Sequence, residues 1–359
     1  MLIFQKMLTV FILMAIGFLF GRKGWINDDN SGLLSKIVIN VANPGMILAA
    51  GLDSDTTLSN QLVWNTFLMA VLFYIALVAT APFVMRLMRI PADVRGTYQY
   101  MYVFGNIGFM GMPLIVAVYG QESALLVAMF NFVFNILMYT YGMAIIRREA
   151  AYNAAQNRER SIAAAAEAKE EEAGAAGTEE EHSAETKEAG AVTSDQVGHA
   201  NADMSTAQKL RKSFLNVGTI SSVLALICFA ARIHVPDFLY DSLEMMSNLA
   251  CPLSMFVIGA SLAVIAPKKL VSDMRLNLFI LVRLIIIPIL GVAFVKLVIN
   301  PEELLMRVFY VMISVPFAST SVMMAQEYGG RKDVASQGVA FSTLVSVATI
   351  PLVGMIFGL

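Results

Sequence analysis

The sequence predicts an all-α polytopic membrane protein of ten transmembrane helices, arranged as two inverted halves of five. Three observations carry this. Of the 359 residues, 57% are apolar and only 14% charged, against roughly a quarter charged in an ordinary soluble domain. The apolar residues fall in runs of about 20, the length that crosses a bilayer core. A motif in the second run recurs in the seventh at a constant offset. Helices follow from the setting, because strands in lipid must close a barrel and would alternate in polarity, and these runs do not.

The same numbers exclude other classes. A net charge of −2 argues against nucleic acid as a partner. Cys228 and Cys251, both in apolar runs, cannot build a disulfide framework or a zinc cage. His182, His199 and His234 lie outside the apolar runs, which removes an intramembrane haem or His-ligated metal. No H-E-x-x-H, G-x-S-x-G or P-loop pattern is present, so the expectation is a non-enzyme without a cofactor.

The ten runs are 2–20, 31–51, 62–88, 97–119, 122–146, 213–233, 238–265, 276–298, 303–326 and 334–358. The first ends at Gly21-Arg22-Lys23-Gly24. It reads as a retained helix rather than a cleaved signal peptide, with Lys6 its only early charge and no A-x-A site after it. Pro91, Pro236 and Pro267 punctuate later connections. Between the fifth and sixth runs, residues 147–212 hold 9 Lys/Arg and 13 Asp/Glu, with few large apolar side chains. This stretch reads as a polar, disordered linker, either a solvated connection or a docking segment. The domains expected are therefore 1–146, the linker 147–212, and 213–359.

Orientation follows from the basic residues. Numbering the connections alternately puts 19 of the 25 Lys/Arg on one side, that of the linker. The linker is expected in the cytoplasm, both termini outside, and the protein in the inner or plasma membrane.

Five runs on each side of the linker give the halves opposite orientations, which predicts an inverted repeat. The second run reads Asn40-Val-Ala42-Asn43-Pro44, with Gly51 following; the seventh reads Asn248-Leu-Ala250-Cys251-Pro252, with Gly259 following. Asn40/Asn248, Ala42/Ala250, Pro44/Pro252 and Gly51/Gly259 share an offset of 208. Both prolines are expected to interrupt their helices.

The strongest interruption lies in the fourth run, Gly105-Asn106-Ile107-Gly108-Phe109-Met110-Gly111-Met112-Pro113. The ninth carries Ser314-Val315-Pro316-Phe317-Ala318-Ser319-Thr320 at similar depth. Broken helices at matching positions of two halves point to a binding site, because each following half-helix offers free amides and a positive dipole end. The expected substrate contacts are Gly105, Asn106, Gly108, Gly111, Pro113, Ser314, Pro316, Ser319 and Thr320, with Asn43 and Asn131 nearby. Close packing through small residues would use the same glycines.

Three ionisable groups remain inside the runs. Arg283 lies about 12 Å along its helix from Arg275 at 1.5 Å per residue, either attracting an anion or serving a structural pair with Glu244 or a free carbonyl. Lys36 is close enough to its helix end to snorkel. Glu244 is either a carboxylate for H⁺ or Na⁺ coupling or a residue of the outer boundary. Asn131 and Asn135 form a polar stripe that lines a cavity or bonds between helices.

The Asn-x-Ala-x-Pro helix, Asn106–Pro113, Arg283-Leu284 with Pro288, Pro316-x-Ala318 leading to Tyr328-Gly329, and Ser342-Thr343 with Thr349-x-Pro351 together resemble the auxin efflux carrier family of bacterial permeases. The resemblance covers all ten runs and leaves out the linker. It implies likeness in fold to plant auxin exporters and bile acid–sodium symporters. It also implies a scaffold and a core domain, with the fourth and ninth helices crossing at their breaks. Elevator-type alternating access, organic-anion substrates such as malate, malonate or indole-acetate, and a homodimer come with it. The ninth run has no acid before Glu327, so the resemblance supplies no sodium-site carboxylate. A passive anion channel, or a receptor signalling through the linker, is the alternative reading.

Overall fold

The computed structural model describes residues 2–53, 58–175, 217–263 and 273–358. Every element among them is helical, apart from one isolated bridge. Helix α1 is Leu2–Arg22 and α2 is Asp28–Ile37, running on into α3, Asn43–Leu52. Then come α4 (Asn60–Leu87), α5 (Arg95–Val103), α6 (Met112–Tyr119), α7 (Ser123–Leu137) and α8 (Met143–Ala175). The second half holds α9 (Val217–Ala230), α10 (Asp237–Ala263), α11 (Met274–Leu281), α12 (Ile287–Phe294), α13 (Glu303–Ser314), α14 (Thr320–Tyr328) and α15 (Lys332–Phe357).

Among the described residues, six continuous helical stretches have the length and apolarity to cross a membrane: Asn30–Leu52, Asn60–Leu87, Ser123–Ala163, Asp237–Ala263, Met274–Ile299 and Lys332–Phe357. Two of the four other predicted runs are split in the middle, into α5/α6 and α13/α14. Leu8–Arg22 and Val217–Ala230 are shorter apolar helices. The fifth run does not stop at residue 146, where the linker was expected to begin. Helix α8 continues to Ala175, as the Ala, Glu and Lys there favour. The rest of the expected linker, 176–212, lies outside the described residues.

The expected interruptions at Pro44 and Pro252 do not occur. Pro252 sits inside continuous α10. Pro44 follows a single π-helical turn, Val38–Ala42, that joins α2 to α3 without a break. The same arrangement recurs at Ile107–Gly111 before Pro113 and at Val282–Ile286 before Pro288. A proline removes one donor and crowds the carbonyl four residues back. Widening the preceding turn relieves that clash and keeps the helix going.

Helix α1 lies along α10, while α3 lies against α9 and α10. Helix α4 packs on α7 and α5, α13 on α12, and α15 on α14 and α11. Gly51 of α3 meets α9 at Ala225, and Gly259 of α10 meets α1 at Met14. Positions 208 apart in the sequence thus each touch the opening helix of the other half.

Candidate functional site

The two split helices meet at their splits. Helix α5 is followed by Phe104, whose backbone is extended, and α13 by Val315, also extended. Gly105 and Phe317 then pair as an isolated antiparallel bridge. The amide of Asn106 donates to the carbonyl of Pro316 at 2.8 Å, and that of Ala318 to Phe104 at 3.0 Å. Buried backbone groups must find partners, and here each broken helix satisfies the other. The amide of Phe317 donates to Ser342 Oγ of α15 at 3.1 Å.

Arg283 completes the accounting. Its side chain is 1% exposed. Nε donates to the carbonyl of Tyr102 and Nη1 to that of Ile313, each at 2.7 Å. Both carbonyls belong to the last turns before the breaks, where helices leave carbonyls without intrahelical donors and carry partial negative charge. One cation therefore serves two helix C-termini, and the guanidinium also lies over the Tyr102 ring. Of the two roles open for Arg283, the structure places it on free carbonyls. It does not line the cavity described next.

Asn106 and Ser319 face a cavity of about 430 Å³. Asn106 caps the π turn that follows it, accepting the Phe109 amide at 3.3 Å on Oδ1, and its Nδ2 donates to Ser319 Oγ at 3.3 Å. The other polar lining groups are Asn27, Ser31, Ser261, Ser336 and Thr343. Ile258, Val322 and Val339 supply an apolar wall. No lining side chain is charged. The amides that open α14 beside Ser319 are partly engaged, Ser321 donating to the Ala318 carbonyl at 2.9 Å and Val322 to that of Ser319 at 3.2 Å.

The other expected contacts are placed differently. Pro316, Gly105, Gly111 and Pro113 are buried in the crossing itself. Ser314 is fully buried behind it. Thr320 is spent on the Tyr100 hydroxyl at 3.1 Å. Asn43 donates to the Gly108 carbonyl at 2.9 Å, tying α3 to the π turn. Asn131 does not line this cavity, and Asn135 is buried. Asn40 bonds within its own helix to the Lys36 carbonyl, and Asn248 is exposed. Lys36 and Glu244 are exposed, and neither lines the cavity.

Sequence reasoning passed over Asn27, Ser31, Ser261 and Ser336. They stand at the ends of apolar runs, where polar residues ordinarily read as punctuation. It also passed over Glu149, 3% exposed at the start of the expected linker. Its carboxylate accepts the Thr97 amide at 2.7 Å, the Thr97 hydroxyl at 2.6 Å and the Arg331 amide at 3.1 Å. Helix α8 is thereby tied to the starts of α5 and α15.

A profile of the membrane transport protein family matches residues 2–353. No curated protein matches the chain.

Proposed function

We propose, from the premise that the chain belongs to the membrane transport protein family, that it moves small organic carboxylates by alternating access. Membership makes it a multi-pass membrane transporter of the auxin efflux carrier type and not an enzyme. The observation that carries the finer reading is the pair of broken helices hydrogen-bonded at their breaks, beside a cavity lined by Asn106 and Ser319. The positive dipole end of α14, the Asn106 amide and the hydroxyls favour an anion without a fixed counter-charge. An uncharged site also lets the anion leave, which a buried ion pair would resist. The apolar wall suits a carboxylate with a short hydrocarbon body.

In this reading the chain is a ten-helix 5+5 inverted repeat. The exchange of contacts between Gly51 and α9 and between Gly259 and α1 supports it. Helices α1, α3, α9 and α10 then form the scaffold, and the bundle holding the crossing is the part that moves. The cavity is bordered by Asn27, just past α1, and by Ser336, in the first turns of α15. With the linker in the cytoplasm, it opens inward. Glu244 is a candidate for H⁺ or Na⁺ coupling only if another state of the cycle brings it to substrate.

The test is counterflow of labelled malate, malonate or indole-acetate in proteoliposomes. Asn106→Ala is expected to abolish it in protein that still inserts. Asn106→Asp keeps an acceptor for the Phe109 amide but sets a negative charge against the substrate, so it should fold normally and lose flux. Wild-type rates in both variants would remove the cavity from the mechanism, and flux without saturable counterflow would make the protein a channel.

A further inference from the structure

We propose that the end of the bundle where α8 leaves carries a binding site for the headgroup of an anionic phospholipid. A cavity of about 720 Å³ opens there between the end of α4, the connection to α5, and α8. Four arginines line it, Arg86, Arg89, Arg95 and Arg148, with Glu149 the one acid.

The charges do not cancel. Glu149 is consumed by Thr97 and Arg331, and Arg95 donates to the Ile90 carbonyl at 3.0 and 3.3 Å. Among the described residues, the side chains of Arg86, Arg89 and Arg148 make no hydrogen bond or ion pair. They are not spent on the end of α4 either. Its last carbonyls are taken by the amides of Met88, Arg89 and Ile90. Arg89 caps that helix with φ of +51°, a conformation that usually falls to glycine. Three free guanidiniums around one concavity match a phosphate, to which arginine presents paired donors.

The surroundings choose between a lipid and a free phosphate. Pro82 and Arg86 are four residues apart on α4 and Arg89 follows just past its end, so the charged rim continues an apolar helix. On α4 beside it, Phe83 and Leu87 are 66% and 68% exposed, open to acyl chains. Met85, Ile90 and Ile145 line the cavity with the arginines. Basic pockets between transmembrane helices at this depth suit lipid headgroups. The site is separate from the Asn106–Ser319 cavity, with which it shares no lining residue.

Native mass spectrometry of the full chain, with added phosphatidylglycerol or phosphatidylcholine of identical acyl chains, tests this. Phosphatidylglycerol is expected to be retained about tenfold or more over phosphatidylcholine. Arg86→Gln/Arg89→Gln/Arg148→Gln should abolish the preference, while the same three positions as lysine should keep most of it. If the triple glutamine variant fails to fold, Arg148→Gln alone should weaken the preference several-fold. Arg232→Gln/Arg307→Gln, charges just past α9 and in the first turns of α13, should leave it intact. Equal retention of the two lipids, or a preference that survives loss of the arginines, overturns the proposal. Displacement of the lipid by millimolar inorganic phosphate would assign the cavity to a soluble anion and also overturn it.

Discussion

The guanidinium of Arg283 donates to the carbonyl of Ile313 at 2.7 Å, at the point where α13 stops. The same group holds Tyr102 at the end of α5. A buried charge without a carboxylate is costly. Here two helix C-termini, each with partial negative charge and unpaired carbonyls, stand in for the counter-ion. Arg283→Ala leaves both carbonyls without donors. Hydrogen bonds from a charged donor are worth about 1.5–3 kcal/mol each, so the loss should be roughly 3 kcal/mol or more, read as a large fall in the apparent Tm of purified protein. Arg283→Lys reaches one carbonyl at most and should recover part of it. If Arg283→Ala unfolds like the wild type but fails to transport, the residue acts on substrate and not on the crossing.

Gly105 and Gly108 separate two uses of glycine in one stretch. A Cβ on Gly105 would stand 2.6 Å from Val315 Cγ2, across the bridge. On Gly108 it would meet only Asn43 Nδ2, at 3.5 Å. Gly105→Ala should therefore destabilise by about 1–3 kcal/mol, the usual cost of overfilling a packed site, while Gly108→Ala should be near neutral. Val315→Ala removes the clashing methyl. The double variant Gly105→Ala/Val315→Ala should be more stable than the sum of the single changes allows. Simple additivity in thermal melts would mean that the two breaks do not touch here.

The location of the breaks was legible because glycine, asparagine and proline coincide within nine residues of an apolar run, and no stable lipid-facing helix uses that combination. Arg283 was legible as an anomaly of depth. Its partners were not, because main-chain carbonyls leave no trace in the residue pattern. Pro44 and Pro252 misled for a related reason. Proline announces a missing donor, but a widened turn can absorb it, and nothing in the residue types says which will happen. Of the three ionisable groups read as intramembrane, only Arg283 is buried. Glu149 escaped notice because its partners are also backbone amides, and because it opens an Ala/Glu-rich stretch that looks uniformly solvated.

Glu149 itself makes a sharp test of that tie. Its two oxygens collect three donors, so Glu149→Ala leaves the buried Thr97 amide without an acceptor and the Arg331 amide with the Thr97 hydroxyl oxygen alone, at 3.2 Å. Such an orphan costs about 1–3 kcal/mol. Glu149→Gln retains one acceptor oxygen and should fall between alanine and wild type in thermal stability. Added salt should change these differences little, since the donors are amides and a hydroxyl and not exposed ions. Equal stability of the three proteins would show that α8 is free of α5 and α15.

Gly51 and Gly259 predict tight backbone packing between helices of the two halves. A Cβ on Gly259 would lie 2.0 Å from the Met14 carbonyl oxygen and 2.6 Å from the Phe18 amide nitrogen. One on Gly51 would lie 2.5 Å from the Ala225 carbonyl oxygen. The obstructing atoms are backbone, so no rotamer change relieves the clash, and the helices must move apart. Gly259→Ala and Gly51→Ala should each cost more than the roughly 1–3 kcal/mol of an overfilled side-chain site, with Gly259 the worse. Gly32, which has nothing within 4 Å of its would-be Cβ, provides the control. Gly32→Ala should melt like the wild type or slightly higher, because alanine favours its helix. Thermal unfolding of the three variants in one detergent decides the matter. A Gly259→Ala protein as stable as Gly32→Ala would mean that α1 and α10 do not approach as closely as their backbones do here, and the contact between the halves would then have to lie elsewhere.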